Sequence, residues 1–111
     1  MTFARLAAVM VAVGVLAACS DSTSSGGNST NITVGNNFFS PTPNTVPVGQ
    51  VTFTWATPSN GHNVTWQTGP APLPPNSTTK SSGTHQVTLQ AGTYTYHCTV
   101  HGGMNGTITA Q

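Results

Sequence analysis

The stretch Tyr94-Thr95-Tyr96-His97-Cys98-Thr99-Val100-His101-Gly102-Gly103-Met104-Asn105-Gly106 decides how the rest of the chain is read. Its first half alternates, so Tyr94, Tyr96 and Cys98 share one face of a strand while Thr95 and His97 share the other. The Cys98 sulfur is therefore expected to point inward against aromatic packing. Gly102 and Gly103 then open a loop, and Thr107–Ala110 resumes the alternation. His101 follows Cys98 by three residues, and Met104 follows His101 by three. A strand end leading into a tight loop brings thiolate, imidazole and thioether around one point. Thiolate, imidazole and a weak, long thioether suit copper that moves between Cu(I) and Cu(II).

The cysteine inventory supports a use for that thiol. The chain has two cysteines, Cys19 and Cys98. Cys19 lies in Leu16-Ala17-Ala18-Cys19, after Arg5 and the apolar run Leu6–Val15, which is short for a membrane span and reads as an export signal. Small residues before a cysteine resemble the bacterial lipobox, in which cleavage leaves a cysteine that receives lipids. Met1–Ala18 is thus expected to be a lipoprotein signal peptide. Cys19 to Thr30 is expected to be a lipidated residue and a flexible Ser/Gly tether, anchored to a membrane through several acyl chains. That leaves Cys98 without a disulfide partner in an oxidising compartment.

Outward from the loop, period-two patterns place strands at Ile32–Val34, Thr45–Val48, Val51–Trp55, Asn63–Trp66, Gln86–Leu89, Thr93–Cys98 and Thr107–Ala110. Turn signals at Gly35-Asn36-Asn37, Pro47-Val48-Gly49, Ser59-Asn60-Gly61 and Ala91-Gly92 separate them. The segment from Gln67 to Thr84 carries Pro70, Pro72, Pro74 and Pro75, which remove ladder donors, so it is expected to cross between sheets or cover an edge. Residues 31–111 are therefore expected to form one all-β domain, a Greek-key β-sandwich or barrel of about seven to eight strands.

Composition narrows the function. Only 3% of residues are Asp, Glu, Lys or Arg, while Gly and Pro number 12 and 8. Ser, Thr, Asn and Gln must keep the surface wet. No basic stripe exists for nucleic acid, and no acidic field for steering a cationic partner.

The Cys98-x2-His101-x2-Met104 spacing resembles the C-terminal ligand loop of the cupredoxins, the type 1 blue-copper proteins, and is similar to the short loops of amicyanin-like members. The resemblance runs from about Asn31 to Gln111, including Phe39-Ser40-Pro41 and Pro47-Val48-Gly49-Gln50-Val51. It implies a fourth ligand far upstream, and His62 in Gly61-His62-Asn63-Val64 fits that place. The implied metal site is one type 1 copper held by His62, Cys98, His101 and Met104. The resemblance also implies that Asn63 ties the two ligand segments together through Thr99, with its backbone N–H donating to the cysteine sulfur. Gly61 and Gly102 stand where relatives often carry proline, which loosens both loops.

The expected function is outer-sphere electron transfer outside the cytoplasm, facing the periplasm or the cell exterior, with no enzymatic activity. His101 is the expected doorway to transient redox partners, and the protein is expected to be a monomer. The alternative is a copper-binding module for copper delivery or storage, which uses the same residues. His85 and His97 are read as non-ligands. His97, covalently next to Cys98 and on the opposite face, offers a through-bond exit for an electron. Trp55, Trp66, Phe38, Phe39 and Phe53 are read as core or rim packing.

Overall fold

A computed structural model describes residues 27–111; the expected signal peptide, Cys19 and most of the expected tether lie outside the described residues. Eight strands follow one another: β1 (Asn31–Gly35), β2 (Phe38–Ser40), β3 (Asn44–Val46), β4 (Gly49–Trp55), β5 (Thr65–Thr68), β6 (Thr84–Leu89), β7 (Gly92–His97) and β8 (Asn105–Ala110). They form two four-stranded sheets, ordered β2-β1-β4-β6 and β3-β8-β7-β5. The pairings are antiparallel except β1 with β4 and β3 with β8. The all-β sandwich expected from the sequence is therefore the fold.

Period-two patterning selects the inner faces. Val51, Phe53 and Trp55 of β4, Val87 and Leu89 of β6, Tyr94 and Tyr96 of β7, and Ile108 and Ala110 of β8 are all buried. Removing such side chains from water stabilises the sandwich by roughly 1.5–3 kcal/mol for each large apolar residue. At the centre, Tyr96 meets Phe39, Phe53 and Trp66 edge-on with ring centroids 4.8, 5.2 and 5.2 Å apart. These offset geometries suit the ring quadrupoles. Gly106 lies opposite Tyr96 in the β7–β8 ladder. A Cβ there would stand 2.3 Å from the tyrosine ring, so only glycine admits this close approach.

The outer faces carry the polar half of the same alternation. Thr93 and Thr109 are cross-strand partners with hydroxyls 3.0 Å apart, and Thr68 and Thr95 hydroxyls lie 2.7 Å apart. Among residues 27–111, Lys80 is the one Lys, Arg, Asp or Glu.

Several boundaries differ from those read in the sequence. β2, Phe38–Ser40, is not among the strands expected from the sequence, because three residues are too few to show alternation. β3 ends at Val46, where Pro47 interrupts the ladder. The strand expected over Asn63–Trp66 begins at Thr65, because Asn63 and Val64 are held by another segment. Sheet contacts also begin before Asn31: Gly27 N–H donates to the Pro43 carbonyl, Thr45 N–H donates to the Gly27 carbonyl, and Ser29 exchanges two hydrogen bonds with the buried Asn44 amide.

The proline-rich segment covers an edge. β5 is the last strand of its sheet, and residues 76–80 run along the chain that enters it. Asn76 Oδ1 accepts from Trp66 N–H, Ser77 Oγ accepts from Val64 N–H, and Ser77 N–H donates to the Val64 carbonyl. Lys80 and His62 exchange both backbone hydrogen bonds at 3.0 Å. This strap satisfies backbone groups that an open edge would leave exposed.

Candidate metal centre

Cys98 directly follows β7 and continues the inward face set by Tyr94 and Tyr96, and it is a buried free thiol. Its backbone N–H donates to the Met104 carbonyl at 3.0 Å, which closes the Cys98–Met104 loop on itself. Gly103 turns that loop at φ +82°, a conformation that side chains disfavour. The turn returns a buried Met104 to the head of β8, while His101 stays half-buried at the surface.

His62 arrives from the other side, on the segment between β4 and β5, and is fully buried. Its main chain is pinned by the Lys80 pair and by the Trp55 indole N–H, which donates to the His62 carbonyl at 3.0 Å. Lys80 and the strap supply the rigidity that Gly61 in place of proline was expected to remove.

The donor atoms converge. His62 Nδ1 lies 4.0 Å and His101 Nδ1 3.9 Å from Cys98 Sγ. The two imidazole centroids are 4.6 Å apart, and the three ligand atoms lie within 4.8 Å of one another. Bonds of about 2.0–2.3 Å from nitrogen and sulfur to one ion place such donors roughly 3.5–4 Å apart. The triangle therefore surrounds a space of one-ion size. Two imidazoles, a thiolate and a buried thioether alongside are the donor chemistry of a type 1 copper site.

The surroundings prepare the donors. The sulfur accepts from two backbone N–H groups, Asn63 at 3.5 Å and Val100 at 3.4 Å, which hold it in place. Burial pushes the His62 imidazole below its ordinary range, and the neighbouring His101 pushes it the same way. A neutral imidazole keeps the lone pair that a metal needs.

Asn63 joins the two ligand segments. Its Nδ2 donates to the Thr99 hydroxyl at 2.8 Å and to the Thr79 hydroxyl at 2.9 Å. Its Oδ1 accepts from Thr99 N–H at 3.1 Å and from the Thr65 hydroxyl at 2.9 Å. The tie to Thr99 and the N–H to sulfur match the expectation. Val100 N–H, Thr79, Lys80 and Asn36 were not anticipated. Asn36 lies in the β1–β2 turn, yet its Oδ1 is 3.1 Å from His62 Nε2. None carries a sequence signal, because each acts through the backbone or through a residue type common in turns.

His85 and His97 stand apart from the cluster. His85 Nε2 lies 2.9 Å from the Pro75 carbonyl. His97 is half-buried on the outer face between Thr65 and Asn105, and its Nδ1 has no hydrogen-bond partner among the described residues.

A two-sheet sandwich that closes a buried thiol and two imidazoles beneath loops at one pole defines the cupredoxin class. The cupredoxin-like domain family is matched over residues 6–110, and the chain belongs to that family. Among solved structures, a proline-to-glycine variant of amicyanin in its reduced Cu(I) form is similar at 28% identity and TM-score 0.62, over 75% of this chain and 82% of that one. A purple cupredoxin from Nitrosopumilus maritimus is similar at 26% identity and TM-score 0.61, over 73% of this chain and 98% of that one. A copper-containing nitrite reductase from Thermus scotoductus shares the fold at 22% identity and TM-score 0.64, over 91% of this chain. This chain spans 25% of that reductase. No curated protein matches the sequence.

Proposed function

We propose that the protein is a small blue-copper electron carrier that cycles between Cu(I) and Cu(II) outside the cytoplasm, held to a membrane by lipid on Cys19. The observation that carries the reading is the buried triangle of Cys98 Sγ, His62 Nδ1 and His101 Nδ1, with S···N separations of 3.9 and 4.0 Å. When bound there, copper supplies a one-electron couple. Cys98, His62, His101 and the buried Met104 are the residues that would hold it. The strap, Trp55 and Asn63 fix both ligand segments, so the donors change position little between oxidation states. Burial of His62 and Cys98 keeps water from that side.

His101 and the exposed Val100 lie on the same loop. They form the surface through which transient redox partners take and give electrons. With Lys80 as the sole permanent side-chain charge of residues 27–111, those encounters depend weakly on ionic strength. Relatives include a nitrite reductase, but this chain matches only a fraction of it, and the reading here is a carrier without turnover of a substrate.

The test is the visible absorption and EPR spectrum of the copper-loaded protein. The expected result is an intense thiolate-to-copper band that reductant bleaches and Cys98→Ser removes. A weak band, or copper that passes readily to an acceptor, would end the carrier reading in favour of copper delivery or storage.

A further inference from the structure

Asn36 occupies the two-residue turn between β1 and β2, beside Asn37, whose φ is +70°. The turn is exposed, yet the Asn36 side chain has two partners from a different loop. Its Oδ1 accepts from the Asn60 backbone N–H at 2.8 Å and lies 3.1 Å from His62 Nε2. The chemistry of these groups fixes which atoms carry protons. A backbone N–H can only donate, so the amide atom facing Asn60 is the oxygen. An amide oxygen can only accept, so His62 Nε2 carries its hydrogen. A neutral imidazole holds one N–H, which leaves the Nδ1 lone pair free, and Nδ1 is the atom facing Cys98 Sγ at 4.0 Å.

We propose that Asn36 is a positioning residue that locks His62 in the Nε2–H tautomer, with Nδ1 aimed at the metal position before any metal arrives. The other contacts of His62 do not do this. Lys80 and Trp55 hold its backbone N–H and carbonyl. They fix where the residue sits but leave the ring free to rotate. Among the described residues, Asn36 is the one hydrogen-bond partner of Nε2. The Asn60 N–H has a separate role: by engaging the same oxygen, it stops the amide from flipping to present its NH2 group. A turn in one sheet thereby governs a ligand that leads into the other.

The inference rests on His62 being a metal ligand, as proposed above, but its first test needs no copper. Nitrogen-15 imidazole spectra of the copper-free protein should show His62 as the Nε2–H tautomer alone. Asn36→Ala should populate the other tautomer and weaken Cu(I) binding, measured by chelator competition, by about 10–100-fold. Asn36→Asp, which offers carboxylate oxygens to the same two N–H groups, should restore the tautomer. A copper-free wild-type His62 carrying its proton on Nδ1 overturns the proposal, and that result does not depend on any variant folding. So does an Asn36→Ala protein whose tautomer is unchanged or whose Cu(I) affinity stays within about twofold of wild type. Absence of the thiolate-to-copper band would end the carrier reading while leaving the tautomer measurement valid.

Discussion

The pole that holds His62, Cys98 and His101 and the aromatic block two residues further down β7 are fixed by different means. At the pole, position comes from directed hydrogen bonds. Asn63 engages Thr65, Thr79 and Thr99, the sulfur takes two N–H groups, and both ends of the His62 backbone are paired. In the block, position comes from shape. Tyr96 is buried among Phe39, Phe53 and Trp66 and lies on Gly106, while its hydroxyl has no hydrogen-bond partner among the described residues. Burial pushes its phenol pKa up, so it stays protonated and acts as a hydrophobic ring bearing an unused polar atom. A site that must hold ligands to fractions of an ångström uses angular bonds, and a support that must only be stiff can use packing.

The sharpest way to break this contrast is to remove the polar hub. Asn63→Ala strands Thr99 N–H and the hydroxyls of Thr65, Thr79 and Thr99, and should cost about 3 kcal/mol by urea denaturation. Copper affinity should fall about 10–100-fold with it. A loss of stability without a loss of copper would mean the hub supports the fold and not the ligands.

Packing should fail differently. Gly106→Ala drives a methyl group into the Tyr96 ring and should cost about 2 kcal/mol. The ligand spectrum of the folded fraction should stay unchanged, because no ligand bond runs through that contact. A shifted spectrum would show that the block steers the site.

Tyr96→Phe tests the same region with the opposite sign. Deleting a buried hydroxyl that has no partner among the described residues should leave the protein as stable or raise stability by about 1 kcal/mol. Destabilisation would reveal a partner for that oxygen.

The smallest effect is pH-linked. The folded pKa of His62 lies below its ordinary 6.5, so the unfolded chain takes up the proton first. Stability of the copper-free protein is therefore complete above about pH 6.5 and declines as pH falls toward the depressed folded value, at no more than about 1.4 kcal/mol per pH unit. Denaturation curves at pH 7.5 and 5.5 for wild type and His62→Gln check this, and an equal decline in both would assign it to other groups.

Much of this was legible in the sequence, and for definite reasons. Alternation gave the inner faces of β4, β6, β7 and β8, because one buried face of a strand forces period two. Cys98, His101 and Met104 were readable together because they share one loop. His62 was reachable only through family resemblance, since nothing local distinguishes it from a loop histidine. β2 was too short to show a pattern, and Pro47 trimmed β3. The strap over residues 76–80 is built from backbone and hydroxyl contacts, which leave no periodic trace. Asn36 reads as a turn residue, and its role exists only because the fold brings that turn to His62.

The lone lysine has a consequence for how the molecule is perceived from a distance. In an ordinary domain, gaining or losing one electron is a minor change among many fixed charges. Here the change equals the whole permanent side-chain charge of residues 27–111. On the proposed function, the oxidised and reduced forms should focus as separate bands in an electric field. Oxidation state would then be the principal electrical difference that a partner meets before contact.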